Sequence, residues 1–284
     1  MVGKSIIKWW PIFLLPTALA FAIGFVWPFI WGIYLSFCKF TTVNNVKLVG
    51  LSNYVKVLSD DTFSHAFWLT VLFAFLSSIL INILAFAIAL ALTKGLKGTN
   101  VFRTIFFMPN LIGGIVLGYI WQTLLNGLLS KWGQPLLALS AKNGFWGMII
   151  LLCWQQIGYM MIIYIAGLNN ISGDLIEAAE IDGATPSQIL FKIKIPMIMP
   201  SITICTFLTL TNGFKMFDQN LSLTGGEPAK KSQLLALNIY DTFYARSGPQ
   251  WKGIGQAKAV IFFLIVVVIA LIQLRATTSK EVQQ

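Results

Sequence analysis

Residues 143–173, NGFWGMIILLCWQQIGYMMIIYIAGLNNISG, contain no charged side chain over 31 consecutive positions. The hydrocarbon core of a bilayer is about 30 Å thick, and a helix crosses it in about 20 residues. A run of this length and composition is therefore typical of a transmembrane helix. It decides the class of fold, because a helix that is apolar on all sides cannot lie on the surface of a water-soluble domain.

Five more uncharged stretches repeat this pattern, at 9–38, 66–93, 104–130, 195–214 and 259–274. The last one has 16 residues and spans a bilayer only if the Lys and Arg at its two ends, Lys258 and Arg275, extend to the membrane interfaces. Only 11% of the 284 residues are charged, which excludes a soluble enzyme. The sequence predicts an all-α membrane protein, a single transmembrane domain over 1–284, with six helices at 10–37, 67–93, 104–128, 145–168, 199–221 and 257–275.

The positive charge of the chain fits loops between membrane helices. The net charge is +10, but the Lys and Arg residues flank the apolar stretches, and no nucleic-acid-binding motif accompanies them. We therefore exclude a nucleic-acid partner. Six spans put both termini on one side of the membrane, and the basic cluster at 94–103 favours the cytoplasm for both. This topology places the loop 170–200 in the cytoplasm and the loop 222–256 outside the cell.

No ionisable side chain is predicted near the middle of a span, since Lys215 and Asp218 fall near the end of span five. The three isolated cysteines have no metal-ligand spacing, so no metal site is predicted. Amides and hydroxyls are the polar groups within the spans, and most such groups form hydrogen bonds between helices. The alternative is a path for an uncharged polyhydroxyl solute, lined by amides and aromatic rings. The residues predicted for this path are Asn82, Gln122, Trp154, Gln155, Tyr159, Phe207 and Asn212.

The loop 170–200 has the pattern of two short helices joined by a glycine turn. Asp174 is expected to cap the first helix, and Gly183 to end it in the left-handed conformation. Thr185 can cap the second helix, with Pro186 at the first helical position. From the residue types alone, a solvated linker between two spans is an equal alternative.

The order of residues in this loop resembles the EAA loop of permease subunits in binding-protein-dependent ABC importers. The family pattern is glutamate and two alanines, then aspartate, glycine and alanine, and later a proline before the next span; the usual leucine before that proline is Ile195 here. In the family this loop is the coupling helix that docks into a groove on the ATPase subunit. The resemblance therefore implies ATPase contact for Glu177, Ala178, Ala179, Asp182, Gly183 and Ala184.

A second motif is similar to permeases for oligosaccharides and glycerol phosphate. Phe217-Asp218 is followed by LTGGEP at 223–228, where Glu227 replaces the third glycine that is usual in the family. The resemblance implies the type I ABC importer fold, in which two homologous six-span permeases pair around a translocation path. Two ATPase subunits bind below, and an extracellular or periplasmic sugar-binding protein delivers the solute from above. It also implies a multi-pass protein of the bacterial cytoplasmic membrane.

The same resemblance implies a subunit that is not an enzyme and has no catalytic residue. The chain has no GxxxxGK[ST] phosphate loop, so ATP and Mg²⁺ belong to the ATPase partners, and no cofactor is expected on this chain. The expected cargo is an oligosaccharide of the raffinose, maltose or multiple-sugar type. Glycerol phosphodiesters or polyols are the alternative, and an ion-coupled secondary transporter is a distant one. The residues expected to face the binding protein are Gly225, Gly226, Lys230 and Lys231.

Overall fold

The computed structural model describes residues 2–42, 44–95 and 97–278, and within these ranges the side chains from 11 to 276. The described residues form fourteen α-helices and two short strands. The first helices in chain order are α1 Val2–Phe21, α2 Trp27–Ser36, α3 Ser52–Leu58, α4 Asp61–Leu92, α5 Thr99–Phe107, α6 Gly114–Lys131 and α7 Ala141–Asn169. The remaining helices are α8 Gly173–Ile181, α9 Pro186–Gln188, α10 Ile195–Met197, α11 Met199–Phe214, α12 Asp218–Leu223, α13 Leu235–Tyr240 and α14 Pro249–Thr278.

Four helical stretches are long and apolar enough to cross a membrane, namely Pro11–Ser36, Asp61–Leu92, Ala141–Asn169 and Pro249–Ala276. Two further pairs of helices reach the same length and hydropathy only together, because each pair is bent. The described residues therefore provide four spans, or up to six if each bent pair counts as one.

The bent pairs correspond to the third and fifth predicted spans. Between Thr99–Leu111 and Gly114–Lys131 the chain turns by 102°, so the predicted helix 104–128 is not one straight element. Pro109 starts the break because it has no N–H group to donate, and Gly113 completes it in an extended conformation. The second bend, of 70°, separates Pro186–Met197 from Met199–Phe214.

The chain forms two compact units, Met1–Asp61 with Ile239–Leu264, and Thr62–Asn238 with Ile265–Gln284. The first unit contains the only strands among the described residues, an antiparallel pair, β1 Cys38–Phe40 and β2 Val46–Leu48. Asn53 holds β1 in place, because its amide donates to the carbonyls of Ser36 (2.8 Å) and Cys38 (2.9 Å). The prediction of an all-α chain missed this small ribbon.

Lys258, also in the first unit, does not extend to the membrane interface as the sequence predicted. Helix α14 begins at Pro249 instead of 257, which places Lys258 well inside the helix with no exposed surface. Its Nζ donates to Asp60 Oδ2 (2.8 Å) and to Thr242 Oγ1 (3.0 Å). A buried ammonium group is tolerated because a carboxylate and a hydroxyl replace its hydration.

The core of the second unit lies among α4, α7 and α11. Its largest buried side chains include Phe73, Ile81, Met160 and Tyr164. Small residues bring backbones together: a Cβ at Gly213 would lie 2.8 Å from the Cα of Ala74. This close packing is the ordinary way in which membrane helices associate.

The predicted polar loop 222–256 is largely a packed structure. Helix α11 ends at Phe214, seven residues before the predicted end of span five, and α12 follows as a separate buried helix. Leu223, Leu234 and Leu235 have no exposed surface. The prediction was wrong because these leucines are spaced among polar residues that are themselves buried and hydrogen-bonded, so the segment has low hydropathy without being a surface loop.

Candidate functional site

The most informative cluster surrounds Gln155, the fifteenth of 29 residues in α7 and therefore near the middle of that span. Its side chain is only 8% exposed. The Nε2 group donates to the carbonyl of Ile112 (3.3 Å), and Oε1 accepts from Nε2 of Gln219 (2.8 Å). These two bonds place the break between α5 and α6, and the start of α12, at the level of the middle of α7.

The residues at this break are exposed at the surface of the chain. Leu111 is 71% exposed, and Ile112 and Gly113 are exposed as well. Within the hydrocarbon region, non-helical backbone is tolerated only where protein covers it or where it lines a water-filled cavity. Here the protein itself supplies these hydrogen bonds, since the N–H of Ile112 donates to the carbonyl of Pro109 and the carbonyl of Ile112 accepts from Gln155.

Helices α6 and α12 pack against each other through glycines. A Cβ at Gly114 would lie 2.7 Å from the Cβ of Asp218, and one at Gly118 would overlap Ser222. Gln122 adds a hydrogen bond from Nε2 to the carbonyl of Leu223 (2.9 Å). The partner is α12, which the sequence had merged with span five.

This packing corrects the predicted position of Asp218. It begins α12 directly before Gln219, so it lies level with the middle of α7 and not near the end of a span. The prediction that no ionisable group lies at mid-span was therefore wrong. The signal that could have revealed it is the end of the uncharged run at Lys215, which is where α11 stops.

Two of the predicted path residues serve to join helices. Asn82 accepts a hydrogen bond from the Tyr164 hydroxyl (2.6 Å) and donates to Thr209 Oγ1 (2.9 Å), which links α4, α7 and α11. Gln122 is used in the same way between α6 and α12. For these two amides the structure favours the interhelical role that was the alternative to solute contact.

The other predicted path residues lie on α7 and α11. Asn212 donates from Nδ2 to Oε1 of Gln156 (3.0 Å), an amide that the predicted path omitted. Trp154 is 41% exposed and meets Trp121 edge to face at 5.3 Å, and Tyr159 is exposed beside Phe107. Phe207 is partly exposed on α11, where no hydrogen bond or ring contact among the described residues joins it to this cluster.

The segment between α7 and α11 has the two-helix form predicted for it. Gly183 has a φ of +79° and ends α8, and Thr185 forms a capping box with Gln188 ahead of Pro186. In one detail the prediction was wrong: α8 begins at Gly173, so Asp174 lies in its first turn and does not cap it. A carboxylate in the first turn still complements the positive end of the helix.

The first part of this segment, from Gly173 to Gln188, is largely exposed, whereas Ile189 and Ile198 further along are buried. Neither α8 nor α9, all of whose residues are described, buries a side chain, and Ile181 is 86% exposed. The six residues predicted to contact an ATPase lie within α8 and the turn that follows it. These side chains are therefore available for contact with another protein.

Of the four residues predicted to face a binding protein, the two lysines are exposed. Lys230 pairs with Glu227 (3.8 Å) at the surface, next to the exposed Lys231. Gly225 and Gly226 have positive φ values of +59° and +83°, and Gly226 is buried against Gln233. The glycines therefore shape the turn that presents the lysines.

The profile of the family "Binding-protein-dependent transport system inner membrane component" matches residues 83–277, which include the mid-span cluster and the exposed segment. The chain belongs to this family of ABC importer permeases. Such permeases are not enzymes, since ATP is hydrolysed by partner ATPase subunits.

Individual relatives match this permease along its whole length. It is 41% identical, over 97% of this chain and 96% of the relative, to the probable starch degradation products transport system permease protein of Thermoanaerobacterium thermosulfurigenes. It is 29% identical, over 99% of both chains, to the multiple sugar-binding transport system permease protein of Streptococcus mutans. A bacterial ABC transporter involved in the import of the acidic polysaccharide alginate has a similar fold, with a TM-score of 0.82 and 21% identity over 98% of both chains.

Proposed function

We propose that this permease forms half of the translocation path of an importer for an oligosaccharide, of the kind released from starch or of the multiple-sugar type. The observation that carries this proposal is the 41% identity, along nearly the whole chain, to a permease for starch degradation products. The partners are a second homologous permease, two ATPase subunits and a sugar-binding protein outside the membrane. ATP and Mg²⁺ bind to the ATPase subunits.

The proposed topology has six spans with both termini in the cytoplasm. Four long helices cross the membrane, the bent pair Thr99–Leu111 with Gly114–Lys131 supplies a fifth crossing, and Met199–Phe214 of the second bent pair supplies the sixth. With the termini inside, α8 and α9 lie in the cytoplasm, and the surface lysines Lys230 and Lys231 lie outside. The basic residues at 94–103 then also lie in the cytoplasm, which agrees with the positive-inside rule.

The proposed path runs past the broken backbone at 111–113. Amides near it, on Gln155, Gln156, Asn212 and Gln219, can exchange their mutual hydrogen bonds for bonds to sugar hydroxyls. Aromatic rings beside polar groups are the usual lining of a site for an amphipathic solute, and Trp154 and Tyr159 supply them here. The exposed 111–113 backbone is the part of the path that the second permease would face across an aqueous cavity.

The proposed coupling element is the exposed segment Gly173–Gln188, which contains α8 and α9. The side chain of Ile181 is available as an apolar anchor in a groove of the ATPase, and Glu177 and Asp182 are available as polar contacts. The turn at Gly183 fixes the angle between α8 and α9. Closure of the ATPase pair would move this rigid segment and so shift the permease between its two states.

The experiment begins with gentle solubilisation of the tagged chain from its native membrane and identification of the co-purifying proteins by mass spectrometry. We expect an ATPase, a second permease and a binding protein. The complex is then placed in vesicles with ATP at the ATPase side, and uptake of radiolabelled maltotriose, raffinose, glycerophosphocholine and sorbitol is compared. ATP-dependent uptake of either sugar supports the proposal. Uptake of only the last two indicates the alternative cargo, and uptake without ATP contradicts the importer.

A further inference from the structure

A groove lies between α2 and α14, within the first unit. Its walls are mainly apolar side chains, Phe29 and Ile33 from α2 and Val260 and Phe263 from α14. At one end Phe29 and Phe263 meet edge to face, with their ring centroids 4.8 Å apart. At the other end lies Gln256, which among the described residues lining the groove is the one with a polar side chain. The groove therefore has the shape and polarity to hold an apolar molecule with a polar group at one end.

The amide of Gln256 is placed for a ligand by its neighbour Gly32. A Cβ at Gly32 would lie 2.6 Å from Nε2 of Gln256, so only a glycine leaves room for the amide there. Gln256 is partly buried, and no hydrogen bond joins its side chain to any other described residue. An amide that loses water without gaining a partner is costly. A ligand carbonyl that accepts from Nε2 removes this cost.

One face of α14 changes from charged to apolar along the helix. Lys252, Gln256, Ala259 and Phe263 are spaced by four, three and four residues, which places them in one row. At 1.5 Å per residue, Lys252 lies about 6 Å before Gln256, and Phe263 about 10 Å after it. A cation, an amide and an apolar surface thus follow one another in the order of the phosphate, the ester and the acyl chain of a phospholipid.

The charged end of this row has the features of a membrane interface. The Nζ group of Lys252 donates to the carbonyl of Thr41 (2.6 Å), which uses one of its three N–H donors. Arg246 is exposed and stacks on Trp251, the residue before Lys252, with its guanidinium 4.4 Å from the ring centroid. Tryptophan is enriched at the level of the lipid headgroups. Two cations therefore lie where the headgroups are expected.

Acidic residues are rare in this part of the chain. None occurs in residues 1–59 or 242–280, and the acidic residues of the first unit are Asp60, Asp61 and Asp241. Asp60 is already bonded to Lys258. In the proposed topology α14 begins outside the cell, where the positive-inside rule disfavours an excess of basic residues. A negatively charged molecule at the membrane surface is the ligand that such an excess attracts.

We propose that this groove is a binding site for one anionic phospholipid of the outer leaflet. An acyl chain lies along Phe29 and Phe263, Gln256 donates to the ester carbonyl, and Lys252 binds the phosphate, with Arg246 adding positive charge beside it. The inference goes beyond the proposed function and takes from it only that α14 begins outside the cell.

The lipid has a structural consequence for α2. In this helix, all of whose side chains are described, only Leu35 and Ser36 are buried. The acyl chain fills the space between α2 and α14 and so adds to the few contacts that hold α2 in place.

The first experiment adds phosphatidylglycerol or phosphatidylcholine, with identical acyl chains, to the complete complex after removal of its lipids. Binding is measured by native mass spectrometry, and because the other subunits are unchanged, differences between variants report on this groove. We expect wild type to prefer phosphatidylglycerol, and Lys252→Gln to reduce that preference about fivefold, the effect of one cation at a membrane surface. Gln256→Leu should weaken binding of both lipids about fivefold, the effect of one hydrogen bond.

The control for the loss of charge is Lys47→Gln, on an exposed residue of β2, which should keep the wild-type preference. Equal binding of the two lipids by wild type overturns the inference. An equal loss of preference in Lys47→Gln and Lys252→Gln also overturns it, because the preference then depends on the total charge of the complex and not on this site.

The second experiment locates the lipid with a phosphatidylglycerol that carries a diazirine in one acyl chain. After illumination of the complete complex in vesicles, we expect labelled peptides from 28–33 and 259–264, with protection by unlabelled phosphatidylglycerol. Ala259→Phe fills the groove and should abolish this labelling. Val268→Phe adds a ring at an exposed position of α14 outside the groove and should not. Labelling spread evenly along α14 overturns the inference, and so does absence of labelling in the groove, since another protein then covers it.

Neither experiment depends on transport. A complex that takes up no sugar contradicts the proposed function, while the result of the lipid experiments stands. If Ala259→Phe does not assemble into the complex, Lys252→Gln and Gln256→Leu still decide the question, since neither of them enlarges a side chain.

Discussion

Two polar segments of similar length, Gly173–Gln188 and Asn220–Asn238, fold in opposite ways in this permease. The first is exposed, and the second is largely buried. From Gly173 to Gln188 no side chain is buried, and the structure is held by contacts between near neighbours, such as the Thr185–Gln188 capping box. From Asn220 to Asn238 most side chains are buried, and the contacts come from far along the chain. The backbone N–H of Leu235, for example, donates to Thr70 Oγ1 (2.8 Å).

We relate the difference to the role proposed for each segment, a docking surface for Gly173–Gln188 and a part of the core for Asn220–Asn238. A docking surface for another protein has to keep its shape while every side chain remains available, so its hydrogen bonds must be local. A segment that fixes α12 against α6 has no such need and becomes part of the core. Its centre is Asn220, which has no exposed surface, donates to the carbonyl of Ser232 (2.9 Å) and accepts from the N–H of Leu234 (2.8 Å).

The largest effect should come from Asn220→Ala. The change leaves a buried carbonyl and a buried N–H without their partner, at a cost of about 1–3 kcal/mol for each group. We expect little folded protein in the membrane and a markedly lower midpoint of thermal unfolding in detergent. The midpoint is measured by fluorescence-detected size-exclusion chromatography after heating. Lys231→Ala, on an exposed residue of the same segment, is the control and should leave the midpoint unchanged. A variant at Asn220 with normal abundance and midpoint would mean that this segment is not part of the core.

The exposed segment should show the opposite behaviour, with loss of function and no loss of protein. Gly183→Val forces a β-branched residue into a φ of +79°, which changes the angle between α8 and α9. Glu177→Ala removes a proposed contact with the ATPase. We expect normal membrane levels for both variants and uptake reduced about tenfold, within the usual range of coupling energies. ATP hydrolysis by the complex should no longer respond to the loaded binding protein.

The control for this experiment is Ser187→Ala, an exposed change within α9 that leaves the turn intact. It should support wild-type uptake. If Gly183→Val and Glu177→Ala also support wild-type uptake, the coupling role of the segment is wrong. If both are absent from the membrane, the segment is needed for folding, and the contrast between the two regions does not hold.

The same contrast explains which parts of the structure could be predicted from the sequence. The turn at Gly183 and the cap at Thr185 follow local rules, and both were predicted. The end of α11 at Phe214 and the burial of Asn220 depend on α6 and α7, which lie far away in the sequence, and both were missed. The ion pair of Lys258 with Asp60 joins residues 198 positions apart, so no pattern in either neighbourhood indicates it.

The residues of the candidate path also depend on contacts that are distant in the sequence, and for this reason their roles could not be predicted. An amide in an apolar span must form hydrogen bonds, but the sequence does not show whether its partner is another helix or a solute. Asn82, Gln122 and Gln155 all turned out to bond between elements of the fold, and Gln155 is the one whose partner, Ile112, lies at an exposed break between two helices. The position of Asp218 required knowing that α12 turns back against Gly114, which is a tertiary contact.

A smaller effect is expected from Thr185→Ala, which tests whether local bonds alone hold the exposed segment. Loss of an N-cap costs about 1 kcal/mol, which corresponds to roughly a fivefold change in an opening equilibrium. We expect amide hydrogen exchange in 186–194 to become about fivefold faster, measured by mass spectrometry on the intact complex. Exchange in 220–238 should not change. Faster exchange in both segments would show that the stabilities of the two are coupled, which would contradict the view that local bonds alone hold the exposed segment.

The smallest effect should come from reversing the charges that the buried segment presents at its surface, in the double variant Lys230→Glu with Lys231→Glu. Both side chains are exposed, and the pair of Lys230 with Glu227 is a weak surface contact at 3.8 Å, so the fold should be unaffected. Exposed charges act mainly on the rate of encounter, so we expect about two- to threefold slower uptake when the binding protein is scarce, and normal uptake when it is saturating. The control reverses Lys39 and Lys47, exposed residues that face each other across the β1–β2 ribbon, and makes the same change in net charge. If the two double variants slow uptake equally, the rate of encounter depends on the total charge of the permease and not on Lys230 and Lys231. If neither variant slows uptake, the segment Asn220–Asn238 has a purely structural role.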